Sequence, residues 1–193
     1  MGLRASLFKI YGSDKSSDHN YYLFYGKIFE GRRFEQLNVL EIGLGTNNLD
    51  GVSNMGEEGR PGASLRAFRY FLPNAKIFGA NVDKRILFQE DRIETYFVDQ
   101  TKTETLDELG AALSHRKFDL IIDDGLHCPS ANIATLSFAL KNLKTGGWVV
   151  IEDIHEPSLP IWQAISAILP RQNLSFLLQA KKSFVFAIQN NSI

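Results

Sequence analysis

The chain has 193 residues, of which 44% are hydrophobic, so it can form one domain with a complete core but not two domains of ordinary size. Its 21 lysines and arginines balance 22 aspartates and glutamates, which argues against a nucleic-acid partner or an anionic membrane. The one cysteine cannot form an internal disulfide, and no apolar run approaches the roughly 20 residues that span a bilayer, so we expect a cytoplasmic protein.

The first 35 residues show no strand alternation. We expect one or two helices there, around YGSDKSSDHNYYLFYGKIF, that cap the carboxyl edge of a sheet, where open α/β folds bind ligands. Tyr21, Tyr22 and Tyr25 of this segment either wall a pocket or pack a helix.

Short apolar runs then alternate with helical patterns. Several of the runs are apolar on both faces, which is typical of strands buried between two layers of helices. The predicted strands are 38–43, 76–82, 92–98, 118–123 and 147–152. The predicted helices are 63–71, 103–114, 130–143 and 161–169. This alternation predicts a parallel sheet with right-handed crossovers.

The last two apolar runs, 173–179 and 182–189, are separated by too few residues for a crossover, so they should form an antiparallel hairpin. We therefore predict a single domain over residues 1–193 with an α/β fold. Its sheet should be doubly wound, Rossmann-like, mostly parallel and seven-stranded, closing with that C-terminal hairpin and carrying the N-terminal helical cap.

The first predicted strand ends in a glycine turn, VLEIGLG. Gly43 and Gly45 allow the backbone to bend sharply and approach a ligand, or simply form a tight turn. The third glycine of the dinucleotide fingerprint is absent. Glu41 lies inside the buried strand end, where an acid must be paired or take part in chemistry. The polar loop 46–62 that follows is long enough to suggest a binding loop or lid.

Polar residues also follow the second and third strands. Asn81 and Asp83 are candidates to accept hydrogen bonds from ribose hydroxyls, and Asp99 and Gln100 are candidates to bind an adenine amino group. Each residue, taken singly, is explained equally well as a solvated strand end.

Two later strands end in acid pairs, in IIDDGLH and VVIEDIH. Because parallel strands share one carboxyl edge, Asp123, Asp124, Glu152 and Asp153 should meet in one crevice, where four carboxylates would repel one another. A divalent cation such as Mg²⁺ would resolve the repulsion. His127, just beyond the first pair, is our candidate for a general base. Alternatively, the acids cap turns, the histidine packs in a loop and no metal binds.

The chain resembles class I S-adenosyl-methionine-dependent methyltransferases, and more narrowly the metal-dependent macrolide sugar O-methyltransferases of the mycinamicin and demethylmacrocin group. The resemblance covers nearly the whole chain. It rests on YGSDK, VLEIGLG, GASLRAFRYFLPNAKIFGANVD, FVDQT, IIDDGLH and GGWVVIED.

The resemblance implies a cofactor, S-adenosyl-methionine, a metal, Mg²⁺, and a small hydroxylated substrate such as a sugar or glycosylated natural product. It implies metal ligands Asp124, Glu152 and Asp153, with Asp124 also catalytic. It places Asp123 on the opposite strand face, on the cofactor side. The resemblance also implies that Lys15 of YGSDK and Ser64 of GASLRAF bind the cofactor. Where this family has aspartate in G-x-D, the present chain has Asn81.

Three alternatives stay open. One is a degenerate cofactor-binding homologue without methyl transfer, suggested by Asn81, and another is a secondary-metabolite hydroxylase on the same scaffold. A nicotinamide-dependent dehydrogenase is disfavoured by the missing third glycine and the closing hairpin. The oligomeric state, including a homo-oligomer, is undetermined by the sequence.

Overall fold

The computed structural model describes residues 5–17, 19–51 and 53–191, and one mixed eight-stranded sheet forms its centre. The strands in chain order are β1 (Asn38–Ile42), β2 (Lys76–Asn81), β3 (Gln89–Glu90), β4 (Ile93–Phe97), β5 (Phe118–Asp123), β6 (Leu143–Ile154), β7 (Leu174–Gln179) and β8 (Phe184–Gln189). Their spatial order is β3-β4-β2-β1-β5-β6-β8-β7. The strands from β4 to β6 in this order are parallel, whereas β3, β8 and β7 pair antiparallel with their neighbours.

The mostly parallel sheet and its C-terminal hairpin are confirmed, but the count of seven strands is wrong. The additional strand, β3, has only two residues, and Gln89 and Glu90 pair with Glu94 and Ile93 of β4. The tight connection between the two strands places Arg92 at φ +59°. A polar two-residue strand has no alternation, so the sequence did not indicate it.

Six α-helices accompany the sheet. They are α1 (Ala5–Tyr11), α2 (Tyr21–Ile28), α3 (Ala63–Phe71), α4 (Thr103–Ala112), α5 (Pro129–Asn142) and α6 (Leu159–Ile168). The predicted helix 63–71 matches α3, and the other predictions differ by one or two residues at their ends. Both α5 and α6 have proline in the first turn, where no amide donor is needed. None of the helices within the described ranges is long and apolar enough to cross a membrane.

The sheet is covered on both faces, as a doubly wound fold requires. Successive residues of β1 point to opposite sides, so Val39 joins one buried cluster and Leu40 joins the other. The first cluster includes α1, α2 and α3, where Phe68 makes edge-on contacts with Phe8 and Tyr25 at ring distances of 5.4 and 5.3 Å. The second cluster includes α4, α5 and α6. Because the strands from β4 to β6 are parallel, their carboxyl ends lie along one edge of the sheet.

Candidate cofactor and metal site

A cavity of about 380 Å³ lies at this carboxyl edge. Its lining comes from the residues that follow β1, β2, β4 and β5, and from the end of β6. The segment between α1 and α2 and the loop 46–62 complete it. The volume lies in the range of sites that enclose a small-molecule cofactor.

The glycine turn after β1 is required by close backbone packing. Gly43 has φ +98°, and a Cβ atom there would lie 2.0 Å from the carbonyl oxygen of Asp124. Gly45 has φ +64°, and its Cβ would lie 2.3 Å from the sulfur of Met55 in the following loop. Both glycines line the cavity. The turn therefore lets the backbone after β1 pack against the backbone after β5, and it leaves the backbone of the two glycines accessible to a ligand in the cavity.

The polar residues after β2 and β4 divide into two groups. Asn81, Asp99 and Gln100 line the cavity, whereas Asp83 does not. The Gln100 amide is already engaged, because it donates to Asp123 and Thr135 at 2.8 Å each and accepts from the Leu126 amide at 2.9 Å.

Asp83 fastens the start of the 46–62 loop. Its carboxylate accepts hydrogen bonds from Thr46 at 2.7 Å and Asn48 at 2.8 Å, and it pairs with Arg85 at 2.8 Å. The hydrogen bonds from Arg85 hold the pKa of Asp83 well below its usual range. Because its carboxylate binds these three residues and does not line the cavity, Asp83 does not support the predicted role as an acceptor for ribose hydroxyls.

The acid pair after β5 separates. Asp123 is fully buried and accepts from Gln100 at 2.8 Å and Asn132 at 3.0 Å, so it organises the turn into α5. Burial raises the pKa of Asp123. Asp124 lines the cavity instead, and burial raises its pKa to about 7 although Lys15 opposes the shift.

Lys15 supplies a positive charge to the buried acids. Its side chain is 1% exposed, and its Nζ lies 2.7 Å from Asp124, 3.1 Å from Glu41 and in contact with Glu152. Burial lowers the pKa of Lys15, but Asp124 and the other carboxylates outweigh this and hold it well above its usual value. Contrary to the expectation from sequence, much of the acid repulsion is relieved by a lysine. Lys15 does not line the cavity.

Glu41 and Glu152 are buried acids that do not line the cavity themselves. Glu41 is fully buried and accepts from Ser64 at 2.6 Å, and Ser64 itself lines the cavity. Glu152 accepts from the Tyr25 hydroxyl at 2.5 Å and contacts Lys15. The oxygens of Glu152 are thus committed to Tyr25 and Lys15, and the structure does not bring them into one group with Asp153.

Asp153 is aimed into the cavity by an irregularity in β6. Adjacent residues of a regular strand point to opposite faces, and the pairing register of β6 with β8 shifts between Ile151 and Ile154. Asp153 has φ +54°, a conformation that costs an aspartate of the order of 1 kcal/mol and concentrates at functional sites. Tyr21 donates to Asp153 at 2.6 Å, and Ser183 donates at 3.0 Å.

Asp124, His127 and Asp153 form a cluster with potential ligand atoms all within 4.8 Å of one another. It is the only acid–histidine group of this kind in the part of the chain that the structure describes. His127 also has φ +54°, and its Nδ1 is buried without a hydrogen-bond partner among the described residues. Two carboxylates beside an unpartnered imidazole nitrogen fit a divalent cation or a proton acceptor.

Sequence reasoning assigned no such contacts to Tyr21, Tyr25 and Ser183. The two tyrosines are four residues apart on α2, so they share one helix face and reach the acids of β6 together. That spacing was the available signal. Nothing local marks Ser183, which reaches Asp153 from the turn between β7 and β8.

Comparison with known proteins gives sequence and structural relatives, although no protein-family model matches the chain. The mycinamicin VI 2''-O-methyltransferase of Micromonospora griseorubida is 33% identical over 88% of this chain and 39% of its own length. A rhamnosyl tetracenomycin-C 2'-O-methyltransferase of Streptomyces olivaceus is 27% identical over 86% of this chain and 42% of its own. The chain therefore spans about two fifths of the length of these curated relatives.

A solved structure of the MycE methyltransferase from the mycinamycin pathway, in complex with Mg, SAH and mycinamycin VI, superposes with a TM-score of 0.76. The two are 26% identical, and the superposition covers 96% of this chain and 53% of that one. By fold and by sequence, the chain is thus a homologue of the macrolide sugar O-methyltransferases and has the class I S-adenosyl-methionine-dependent methyltransferase fold.

Proposed function

We propose that this chain is an S-adenosyl-methionine-dependent, Mg²⁺-dependent O-methyltransferase that acts on a hydroxyl of a sugar or glycosylated natural product. The observation that carries the proposal is one cavity that extends from the glycine turn after β1 to the Asp124, His127 and Asp153 cluster. The names of the relatives support the class of acceptor.

The cofactor fits the half of the cavity near β1, β2 and β4. Gly43 and Gly45 give the backbone access that a close-lying cofactor needs, and Asn81 and Asp99 offer acceptors for ribose or adenine groups. Ser64 also borders this half. Glu41 accepts a hydrogen bond from Ser64 and pairs with Lys15, whereas Asp83 and Asp123 accept from Thr46 and Gln100 of the lining. When bound, S-adenosyl-methionine supplies a methyl group on a positively charged sulfur.

The metal fits the other half. Asp124 and Asp153 would hold Mg²⁺ through carboxylate oxygens, the ligand type that this ion prefers. Glu152, which the resemblance implies as a third ligand, would join only by exchanging its contacts with Tyr25 and Lys15. A bound Mg²⁺ would lower the pKa of the acceptor hydroxyl.

His127 is suited to remove the hydroxyl proton. Its Nδ1 is buried and has no hydrogen-bond partner in the described ranges of the chain, and the side chain lines the cavity beside both carboxylates. A proton accepted there stays within the electrostatic reach of Asp124 and Asp153. Methyl transfer from an activated sulfonium otherwise requires mainly alignment, which the rigid strand ends provide.

The described helices α1 and α2 and the segment between them support a cap over the carboxyl edge, because this segment borders the cavity and carries Lys15, Tyr21 and Tyr25 to the acids. We infer that residues 5–17 and 19–35 form this cap within the single methyltransferase domain predicted over residues 1–193; residues 1–4 and 18 of the predicted cap lie outside the described residues. A small molecule is the proposed partner, and the proposal leaves open a homo-oligomer.

The proposal is tested by turnover with a glycosylated acceptor that has a free sugar hydroxyl, with and without a chelator. We expect the chelator to abolish methyl transfer and added Mg²⁺ to restore it. Full turnover in the presence of the chelator would eliminate the metal-dependent mechanism.

Two variants separate metal binding from proton transfer. Asp124→Ala should lose Mg²⁺ binding in calorimetry, whereas His127→Ala should keep metal and cofactor binding and slow turnover by roughly 10²–10⁴-fold, the usual contribution of a general base. His155→Ala is the matched control, because His155 follows the second acid pair but is exposed. Loss of Mg²⁺ in His127→Ala would make the imidazole a metal ligand instead.

The second candidate, a degenerate cofactor-binding protein, is favoured by Asn81, whose neutral amide replaces the charged acceptor of the family at the end of β2. Calorimetric titration with S-adenosyl-homocysteine measures whether the chain binds the cofactor product at all, which this candidate requires. Binding without turnover of any acceptor would select this candidate.

A further inference from the structure

Arg60 is a cavity-lining cation whose guanidinium has no ion pair or hydrogen bond with any residue that the structure describes. Apart from Arg171, the other described arginines are held by carboxylates, carbonyls or aromatic rings. These are Arg32, Arg33, Arg66, Arg69, Arg85, Arg92 and Arg116. Arg171 is exposed and lies outside the cavity lining. The free guanidinium at the cavity is therefore unusual for this molecule.

The stem of Arg60 is fixed at the border of the cavity. The Arg60 carbonyl accepts from the amide of Ala63, the first residue of α3, at 3.0 Å. The side chain packs on Gly12, where an added Cβ would lie 2.8 Å from the Arg60 Cδ. Gly12 has φ +85° and also lines the cavity. The contact holds the side chain between the loop 46–62 and the N-terminal segment.

The charges around Arg60 indicate what it would bind. The other charged side chains of the described lining are the carboxylates of Asp14, Asp99, Asp124 and Asp153. Such a lining attracts the sulfonium and the amino group of S-adenosyl-methionine but repels its carboxylate. A guanidinium is the side chain best shaped to bind a carboxylate through two hydrogen bonds.

We propose that Arg60 binds the carboxylate of the amino-acid end of S-adenosyl-methionine. This assignment rests on the proposed function, and it adds to that function a direction in which the cofactor lies in the cavity. The nucleoside lies toward β2 and β4, the sulfur toward the acids of β5 and β6, and the carboxylate under Arg60. Arg60 is a binding residue in this assignment and does not touch the reacting atoms.

Two ligands and two variants test the assignment by calorimetry. S-adenosyl-homocysteine has the amino-acid end, whereas 5'-methylthioadenosine keeps the nucleoside and sulfur but lacks the amino and carboxylate groups. Arg60→Gln should weaken binding of S-adenosyl-homocysteine by about tenfold, a typical effect for one charge-assisted contact, and leave binding of 5'-methylthioadenosine unchanged. Arg171→Gln, the matched control, should leave both affinities unchanged, and Arg60→Lys should lose less affinity than Arg60→Gln.

The outcomes separate the inference from the function on which it rests. An equal loss for both ligands in Arg60→Gln would mean that Arg60 only shapes the loop, and no loss for either would mean that it is a surface residue; both results overturn the assignment. Failure of the unsubstituted chain to bind S-adenosyl-homocysteine would overturn the proposed function together with the assignment. Because the guanidinium is exposed and unpaired, the variants should unfold at the same temperature as the parent chain.

Discussion

Lys15 brings one positive charge to three carboxylates that lie in or just after three different strands, the buried Glu41 and Glu152 and the part-buried Asp124. Each carboxylate would be costly to bury without a partner. The sequence indicated that the acids converge, because parallel strands share an edge. It did not indicate the cation, because Lys15 is separated from Asp124 by 109 residues and from Glu152 by 137, and no periodicity connects them.

Replacing Lys15 by methionine should therefore destabilise the fold. We expect Lys15→Met to lower the free energy of unfolding by about 3–5 kcal/mol, the usual cost of leaving a buried charge without its partner. Urea denaturation measures it. Lys27→Met is the control, because Lys27 is an exposed lysine whose ion pair, within the part of the chain that the structure describes, is with Glu30, three residues away. Equal stabilities for the two variants would show that the Lys15 contacts contribute little.

Tyr21 orients Asp153 toward the cluster by donating its hydroxyl hydrogen at 2.6 Å. Burial raises the pKa of Tyr21 far above its usual value, so the hydroxyl stays a neutral donor. Tyr21→Phe should lower Mg²⁺ affinity by roughly tenfold or more, as loss of a partner that orients a metal ligand usually does. Tyr22→Phe is the control in the same calorimetric titration, since no hydrogen bond of its hydroxyl is seen among the described residues. An unchanged affinity in Tyr21→Phe would assign the orientation of Asp153 to Ser183 and the backbone of β6 instead.

At the scale of elements, the close approach of the backbone after β1 to the backbone after β5 depends on Gly43. Two effects oppose a side chain there: φ is +98°, and a Cβ would lie 2.0 Å from the Asp124 carbonyl oxygen. Gly31 separates these effects, because its φ is +77° but a Cβ added there would have no atom within 4 Å.

We expect Gly31→Ala to cost only the strain of a left-handed conformation, about 1–2 kcal/mol. Gly43→Ala should cost clearly more and also displace the Asp124 backbone, which weakens Mg²⁺ binding. Chemical denaturation and metal titration of both variants measure this. Similar stability and metal affinity in the two variants would show that the backbone after β5 can move to accommodate a side chain at Gly43.

The sequence predicted well the helices and strands that are defined by buried apolar residues. It predicted poorly the features that depend on local backbone geometry. The five parallel strands and the hairpin follow from apolar runs that only a sheet covered on both faces can bury. The two-residue β3 and the register shift in β6 have no hydrophobic signature. That shift decides which way Asp153 points, and the sequence does not reveal it. Glu152 and Asp153 were therefore predicted as ligands of one metal, whereas the structure gives them different partners.

At the scale of the whole molecule, both faces of the sheet and the segment over its carboxyl edge form one connected structure. We expect the 193-residue chain to unfold in one cooperative transition, with a midpoint that rises when the cofactor product binds. At S-adenosyl-homocysteine concentrations about 100 times the dissociation constant, the stabilisation of about 2.7 kcal/mol corresponds to a rise of roughly 5–10 °C. Differential scanning calorimetry measures both. Two separate transitions, of which only one shifts, would contradict a single domain.

The contact between Lys15 and Glu152 also has a consequence for the order in which the protein assembles. It closes a loop of 137 residues, and the strand that carries Glu152 is itself paired with β8 near the end of the chain. Contacts so distant along the chain are slow to form, because the entropy of closing the loop is lost before the contact stabilises it. During synthesis the contact between Lys15 and Glu152 can therefore form only after β6 has been made, long after α1 and α2.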